Sequence, residues 1–300
     1  SYIGFENQVK SVSLHSNQRL NIALATKSIE TKEVTITAER EDKNVQGVQM
    51  GQASIDVEKL KSMPAFLGEV DVLKAIQLLP GVSSAGEGNS GFYVRGGGPD
   101  QNLILLDEAN VYNASHLFGF FSVFNSDAIQ NVTLTKGGMP ANYGGRLASV
   151  LDIQMKEGNN QRIQVDGGIG LIASRLTVQG PIKKDTSSFI ISARRTYVDV
   201  LIKPIFRKGS TFYGTSYYFY DLNTKFNYLF NDKNKIYFSG YFGRDVFDFV
   251  NGQRSAKVNI PWGNATGTIR WNHVFNKKLF GKILKPCNKD LTKVNQIVQL

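Results

Sequence analysis

The side chains best equipped for catalysis are scattered. His15, His116 and His273 lie far apart, and neither an HExxH pair nor a GxSxG elbow occurs. Asp107 and Glu108 are adjacent in a strand-like run, which would send two carboxylates to opposite faces. Arg95-Gly96-Gly97-Gly98 looks like a phosphate loop, but it lacks GxxxxGK[ST] and no helical pattern follows it. Those glycines suit a turn with positive φ beside a buried arginine. Arg146, behind Gly144-Gly145, has similar surroundings, and both arginines are expected to pair with acids nearby. Cys287 is the single cysteine, which excludes an intrachain disulfide and a CxxC metal site. These residues predict no enzyme, no metal and no cofactor; binding or transport chemistry is left.

Binding surfaces need elements to carry them. The chain has 300 residues, 41% hydrophobic and 11% aromatic, with 29 glycines, a balance that leans towards β structure with many turns. No run approaches the ~18–20 apolar residues of a membrane helix. A membrane-spanning reading therefore requires a barrel. Residues 1–160 carry 13 Lys+Arg against 17 Asp+Glu, and residues 161–300 carry 22 against 8, so −4 and +14 sum to the net +10. The basic residues of the second half are dispersed among alternating segments, which favours anionic lipid or lipopolysaccharide over nucleic acid. Ser1–Phe5 lacks the charged and apolar regions of a signal peptide, so the sequence reads as starting inside a domain.

Along the chain, Leu20, Ile22 and Leu24 alternate as the end of a small β-sandwich over 1–30. Residues 31–52 form a charged linker around the β-prone run Glu33-Val34-Thr35-Ile36-Thr37-Ala38, and Glu41 to Gln52 has almost no apolar content. Val70, Leu73, Ile76 and Leu79 predict a helix within 53–81, stopped by Pro80-Gly81. Residues 82–158 alternate turns with short strands at Gly91–Val94, Leu103–Leu106, Asn131–Lys136 and Leu147–Met155, giving a compact α+β domain over 53–158. From 159 to 275 the segments lengthen. In Ser216–Phe230, Tyr218, Tyr220, Leu222, Thr224, Phe226, Tyr228 and Phe230 share one face, while Asp221, Asn223, Lys225 and Asn227 lie on the other. Tyr218 to Tyr228 spans ~33 Å along a strand, or ~25 Å of height when tilted, the apolar band of an outer-membrane barrel with an aromatic girdle at each rim. Short turns at Lys183–Ser187, Asn231–Asn234 and Asn276–Lys277 alternate with longer loops near 197–215 and 247–260. A soluble sandwich would also alternate; the paired aromatic ends and the loop rhythm favour the membrane. Beyond Phe275 the alternation fails, and 276–300 is expected to be an irregular or truncated tail.

Four stretches together carry a family resemblance. Glu33–Ala38 resembles a TonB box. Asp71-Val72-Leu73-Lys74-Ala75-Ile76-Gln77-Leu78-Leu79-Pro80-Gly81-Val82 is similar to the plug's LPGV helix and turn. Phe92-Tyr93-Val94-Arg95-Gly96-Gly97-Gly98, with Leu105-Leu106-Asp107, resembles its IRG…LLDG core, except that Glu108 replaces the glycine. Asp127-Ala128-Ile129 through Lys136-Gly137-Gly138, then Tyr143-Gly144-Gly145-Arg146, resembles its closing strands. The chain thus resembles the TonB-dependent receptors in their Bacteroidetes-type form, with residues 1–30 similar to the end of a carboxypeptidase-regulatory-like domain.

The resemblance implies an α+β plug followed by about six strands of an incomplete antiparallel transmembrane β-barrel, a piece of a longer receptor in the outer membrane of a Gram-negative cell. It implies active import of a nutrient such as a siderophore, cobalamin, glycan or peptide. TonB would pair with Glu33–Ala38 by strand addition. Lipid or lipopolysaccharide, and in some relatives a surface lipoprotein, would be the other partners. Arg95, Gly96, Gly97, Asp107, Gly137, Gly138, Gly144, Gly145 and Arg146 would be structural. The outer loops Ser83–Ser90 and Asn110–Leu117, with Asn89, Tyr112, Asn113 and His116, would face substrate. The rival expectations are a non-transporting periplasmic interaction module and a soluble β-rich binding protein.

Overall fold

The computed structural model describes residues 51–57, 68–202, 213–251, 256–276, 278–291 and 295–298, together with Arg19 and Pro204. The chain divides into compact units at Gly47, and the fold below is that of Val48–Leu300. The sandwich remnant over 1–30 and the TonB-box candidate Glu33–Ala38 lie outside the described residues.

The first layer is a five-stranded sheet in the order β1-β8-β9-β4-β5, built from β1 (Gln52–Asp56), β4 (Asn102–Leu106), β5 (Ala109–Asn110), β8 (Ile129–Thr135) and β9 (Ser149–Met155). Only β4 and β9 run parallel. Among the described residues a helix, α1 (Val72–Ile76), packs on it, with two small hairpins, β2 (Val82–Ser84) with β3 (Phe92–Val94) and β6 (Ser115–His116) with β7 (Phe121–Ser122). The helical stripe holds in part: Val72, Leu73 and Ile76 are buried against Leu134, Leu151 and Ile153. The helix is shorter than expected, and Gln52–Asp56 is a strand. Its Ala53 and Ile55 lie opposite Leu134 and Val132, and the period-two burial of these two side chains overrides the helical reading. Asp71 starts α1 by accepting the N–H groups of Leu73 (2.8 Å) and Lys74 (3.1 Å).

The second layer is a sheet in strict sequence order: β10 (Gln164–Ile169), β11 (Ala173–Lys183), β12 (Ser187–Thr196), β13 (Ser216–Asn231), β14 (Asn234–Asn251), β15 (Ala256–Asn276) and β16 (Leu279–Asp290), with β17 (Asn295–Val298) on the far end of β15. Every pairing is antiparallel, and no pairing closes the sheet into a ring among the described residues. The short turns fall at Lys183–Ser187, Asn231–Asn234 and Asn276–Leu279, as the composition implied. A short helix, α2 (Val198–Ile202), opens the long connection after β12.

Two expectations are corrected. The loop predicted at 247–260 is mostly ladder, since β14 and β15 stay paired out to Asn251 and Ala256. The segment from Leu279 to Asp290 is a strand, not an irregular tail. Alternation marks a strand only where one face is buried, and β16 is largely exposed on both. Its lysines remain solvated while backbone pairing to β15 supplies the order.

Burial in this sheet is inverted relative to a soluble one. On β13, Asp221, Asn223, Lys225 and Asn227 are 2–7% exposed, whereas Leu222 is 40% and Phe230 62% exposed. Ser192, Arg194, Ser239, Asp245, Asn264 and Thr268 are likewise buried, and Ile191, Phe238, Ile269 and Trp271 point outward. A large apolar outer face with a polar inner one is what a lipid-embedded wall requires. Leu222→Arg separates this from a soluble sandwich. In bilayers the substitution should lower stability by ~2–4 kcal/mol; in a water-facing sheet it should be nearly neutral. Urea titration in lipid vesicles reads the difference.

Candidate functional site

The polar face of the second sheet is covered by the α+β domain, and the densest contact is at His116. This residue ends β6 and is 1% exposed. Its Nδ1 lies 2.6 Å from Asp245 on β14 and its Nε2 lies 2.6 Å from Asp221 on β13. The ring stacks on Phe219 at 4.0 Å, nearly parallel. Burial alone would depress the imidazole, but the two carboxylates outweigh it and raise its pKa to about 9. Both nitrogens therefore donate, and the group is an imidazolium bridging two strands.

Around it the wall carries a network of hydrogen bonds and ion pairs. Arg194 on β12 donates from Nε (2.8 Å) and Nη2 (2.6 Å) to Asp221, from Nη2 to the Ser122 carbonyl (2.8 Å), and from Nη1 to Glu69 (3.5 Å). The Tyr241 hydroxyl donates to Asp221 at 2.9 Å, and the Tyr217 hydroxyl donates to Asp245. The Leu117 N–H reaches Tyr217 (2.5 Å) and Asp245 (3.1 Å). Further along β13 towards the short turns, Lys225 pairs with Asp107 (2.9 Å) and donates to the Met155 carbonyl (2.8 Å). Asn227 and Ser188 both donate to the Glu157 carbonyl, and Lys235 pairs with the Glu157 carboxylate at 2.6 Å. Asn125 donates to Ser192, and Arg175 pairs with Asp127 at 2.8 Å.

The sequence-predicted residues divide sharply. Asp107 is at the junction, also accepting the Met155 N–H at 2.9 Å. With Glu108 it forms the β4–β5 turn, with φ of 44° and 72°, the geometry usually given to Asn-Gly or Asp-Gly. The departure at Glu108 thus leaves the turn intact and adds a contact: its carboxylate meets Arg270 at 3.2 Å and also Lys282. Gly96, Gly137, Gly138 and Gly145 do adopt positive φ, and a Cβ at Gly97 would strike Ala148; Gly144 lies in the turn beside them.

Arg95 and Arg146 are corrections. Both are exposed, and among the described residues neither forms an ion pair. Arg95 lies instead against Gly137, and Arg146 donates to the Gly145 carbonyl at 3.1 Å. The arginine that is buried and paired is Arg194. His116 is also corrected, because the Asp pair seals it from any ligand. Of the other substrate-facing candidates, Tyr112 is exposed, Asn113 donates its N–H to Asn264 (3.3 Å), and Asn89 accepts the Gly91 N–H (2.7 Å). The Ser90 N–H bonds to the Gly119 carbonyl at 2.5 Å, which ties the end of the Ser83–Ser90 loop to the β6–β7 turn. Sequence reasoning missed Glu69, Arg194, Asp221 and Asp245 as site residues. For Arg194, Asp221 and Asp245 the available signal was charge within long alternating strands; Glu69, just before α1, offered none.

A small α+β domain seated on the polar face of an inside-out antiparallel sheet defines a plugged barrel wall. Residues 47–150 match the profile of the TonB-dependent Receptor Plug Domain. That match covers 104 of the 300 residues, and the antiparallel strands from β10 onward lie outside it. In fold it is similar to FpvA of Pseudomonas aeruginosa, solved with a heterologous pyoverdine–iron complex, with a TM-score of 0.61 at 12% identity over 84% of this chain and 35% of that one. It is also similar to the outer-membrane transporter YddB of Escherichia coli (TM-score 0.55, 13% identity, 80% and 38%) and to the copper transporter OprC (0.54, 11%, 81% and 37%). The chain spans about a third to a half of the receptors it matches. No curated protein sequence matches it.

The His116 clamp has a signed pH dependence. Its folded pKa of about 9 is above the ordinary 6.5, so its contribution is fully present below ~6.5 and is lost as pH rises through ~9. Thermal melts of the protein in detergent should show a loss on the order of 3 kcal/mol between pH 7 and pH 10. In His116→Gln that dependence should disappear, leaving a lower, flatter stability.

Proposed function

We propose that this chain belongs to a TonB-dependent transporter of the outer membrane that imports a small nutrient into the periplasm. The observation that carries the reading is the inverted sheet, apolar outward, with its charged inner face covered by a plug held through hydrogen bonds and ion pairs. The polar contacts can be exchanged for water one at a time, so a shift of the plug uncovers apolar area mainly around Phe121 and Phe219. A ligand would enter from the side of the long connections and meet the outer plug loops. TonB would engage Glu33–Ala38 in the periplasm by adding Val34, Ile36 and Ala38 as an edge strand. The pull would then loosen the plug from the wall. Arg195 and Arg244 flank Tyr220 on the outer face near the long-connection end, where they would meet the phosphates of lipopolysaccharide. The substrate class, siderophore, cobalamin, glycan or peptide, follows from the family expectation; a surface lipoprotein partner belongs to the same expectation.

The soluble-module reading has to leave Leu222, Phe238, Ile269, Trp271 and Phe230 in water on one contiguous face, which a soluble protein avoids. Cell fractionation tests the proposal directly. The protein is expected in the outer-membrane fraction, and a predominantly soluble periplasmic pool would reject it. Ile36→Pro should abolish energised uptake while leaving membrane insertion unchanged, since proline cannot donate to the added strand. Uptake at the parental rate would refute the assigned TonB contact.

A further inference from the structure

Three cations cross the outer face of the second sheet near one height. The register places Arg195 of β12 opposite Tyr220, Tyr220 opposite Arg244 of β14, and Arg244 opposite Gly263 of β15. Lys289 of β16 lies one pleat lower, opposite Ala265. Arg195 rests over the Tyr218 ring at 5.2 Å and has Asp199 at 3.5 Å. Among the described residues Arg244 and Lys289 form no ion pair, and the Arg244 Nε is buried without a hydrogen-bond partner. The acid further up this face, Asp248, is engaged by Ser216 (3.3 Å) and Asn259 (2.7 Å). A cation on a lipid-facing strand is tolerated at the rim, where headgroups begin. Tyr218 and Tyr220 mark that rim.

A second observation lies directly below the row. The outward positions of β15 descend through Gly263, Ala265 and Gly267 to Ile269 and Trp271. Gly263 is required by the strands themselves, since a Cβ there would meet the Gly243 carbonyl at 2.1 Å. Gly267 is not: a Cβ would find nothing nearer than 3.8 Å. Its partners across the sheet, Gly240 and Cys287, are also small, while Phe242 and Phe238 border the row above and below. The face is therefore hollowed beneath the cations and closed by the exposed Ile269 and Trp271. Gly263 to Ile269 spans ~20 Å along the strand, or ~15 Å of height at a barrel's tilt, half of a ~30 Å hydrocarbon core. The hollow thus has the depth of one leaflet.

We propose that Arg195, Arg244 and Lys289 bind one diphosphorylated acyl glycolipid of the outer leaflet, its phosphates on the cations and an acyl chain along Ala265 and Gly267. The cations stand on alternate strands, ~10 Å apart, so neighbours in the row can each take one phosphate of a single headgroup. A zwitterionic lipid would bring its own ammonium against the same arginines. The proposal rests on the transporter reading, which turns the long connections outward, and narrows its lipopolysaccharide contact to one bound molecule at one place.

Native mass spectrometry tests it. Protein extracted from outer membranes and delipidated in dodecyl maltoside is mixed separately with diphosphoryl lipid A, monophosphoryl lipid A and dioleoylphosphatidylcholine. One diphosphoryl lipid A should be retained per chain, with the monophosphoryl form held at least fivefold more weakly and phosphatidylcholine not held. Arg244→Gln combined with Lys289→Gln should weaken retention at least fivefold. Gly267→Leu, which fills the hollow and leaves every cation in place, should weaken it as well. Lys285→Gln, opposite Ile269 and nearer the short turns, should change nothing. All these residues lie on the outer face, so the variants should keep the parental melting temperature. Equal retention of the three lipids, or parental retention by the double variant or by Gly267→Leu, overturns the site. An equal loss in Lys285→Gln overturns its placement. Membrane location and Ile36-dependent uptake are read separately, so failure here leaves the transporter reading standing.

Discussion

Asp221 is the group on which the plug–wall junction depends. One carboxylate, buried on β13, accepts from His116 of the plug, from Arg194 of β12 and from Tyr241 of β14. An unpaired carboxylate at this depth would be strongly disfavoured, and it is tolerated because two cations and a hydroxyl converge on it. The convergence fixes geometry as well as charge. It sets the register of three neighbouring strands against one plug hairpin, and it places Asp245 where it can complete the imidazolium clamp and hold the Leu117 N–H.

The inverted sheet makes sense only together with this junction. A wall facing lipid must present its polar side chains inward, and those side chains need partners once water is displaced. The plug provides them mostly from main-chain carbonyls and short polar groups: the carbonyls of Ser122, Met155 and Glu157, and the side chains of Asp107, Asn125 and Asp127. The plug's own hydrophobic core, around α1, β8 and β9, holds the domain together internally and reaches the wall at Tyr241. Plug integrity and plug attachment thus rest on different physics. That division lets one change while the other persists.

Much of this was legible in the sequence because period-two burial on β13 to β15 is written in residue type, and because Asp71, Pro80 and the glycine turns punctuate the plug. Where a strand is buried on neither face, as in β16, residue type carries no record of it, and the segment read as a tail. Residues 53–56 fell inside the segment 53–81 read as helical, and Gln52 in the linker before it, because two buried positions are too few to set a period without the partner strand β8. The site was less legible. His116 looked like a loop residue free to meet substrate, since the carboxylates that seal it are 105 and 129 positions away. Arg95 and Arg146 drew attention through their glycine neighbours, while the buried Arg194 sat in an ordinary alternating strand. Sequence shows which face of a strand is polar; which polar group meets which is decided by the packing of two layers.

The wetness of the plug–wall surface has a thermal consequence. Displacing the plug uncovers amides, carboxylates and hydroxyls, with apolar area confined mainly to the rings near Phe121 and Phe219. Polar exposure lowers heat capacity and apolar exposure raises it, so the two offset each other. The equilibrium between the docked and the displaced domain should then drift little with temperature, in a cold environment as in a warm one.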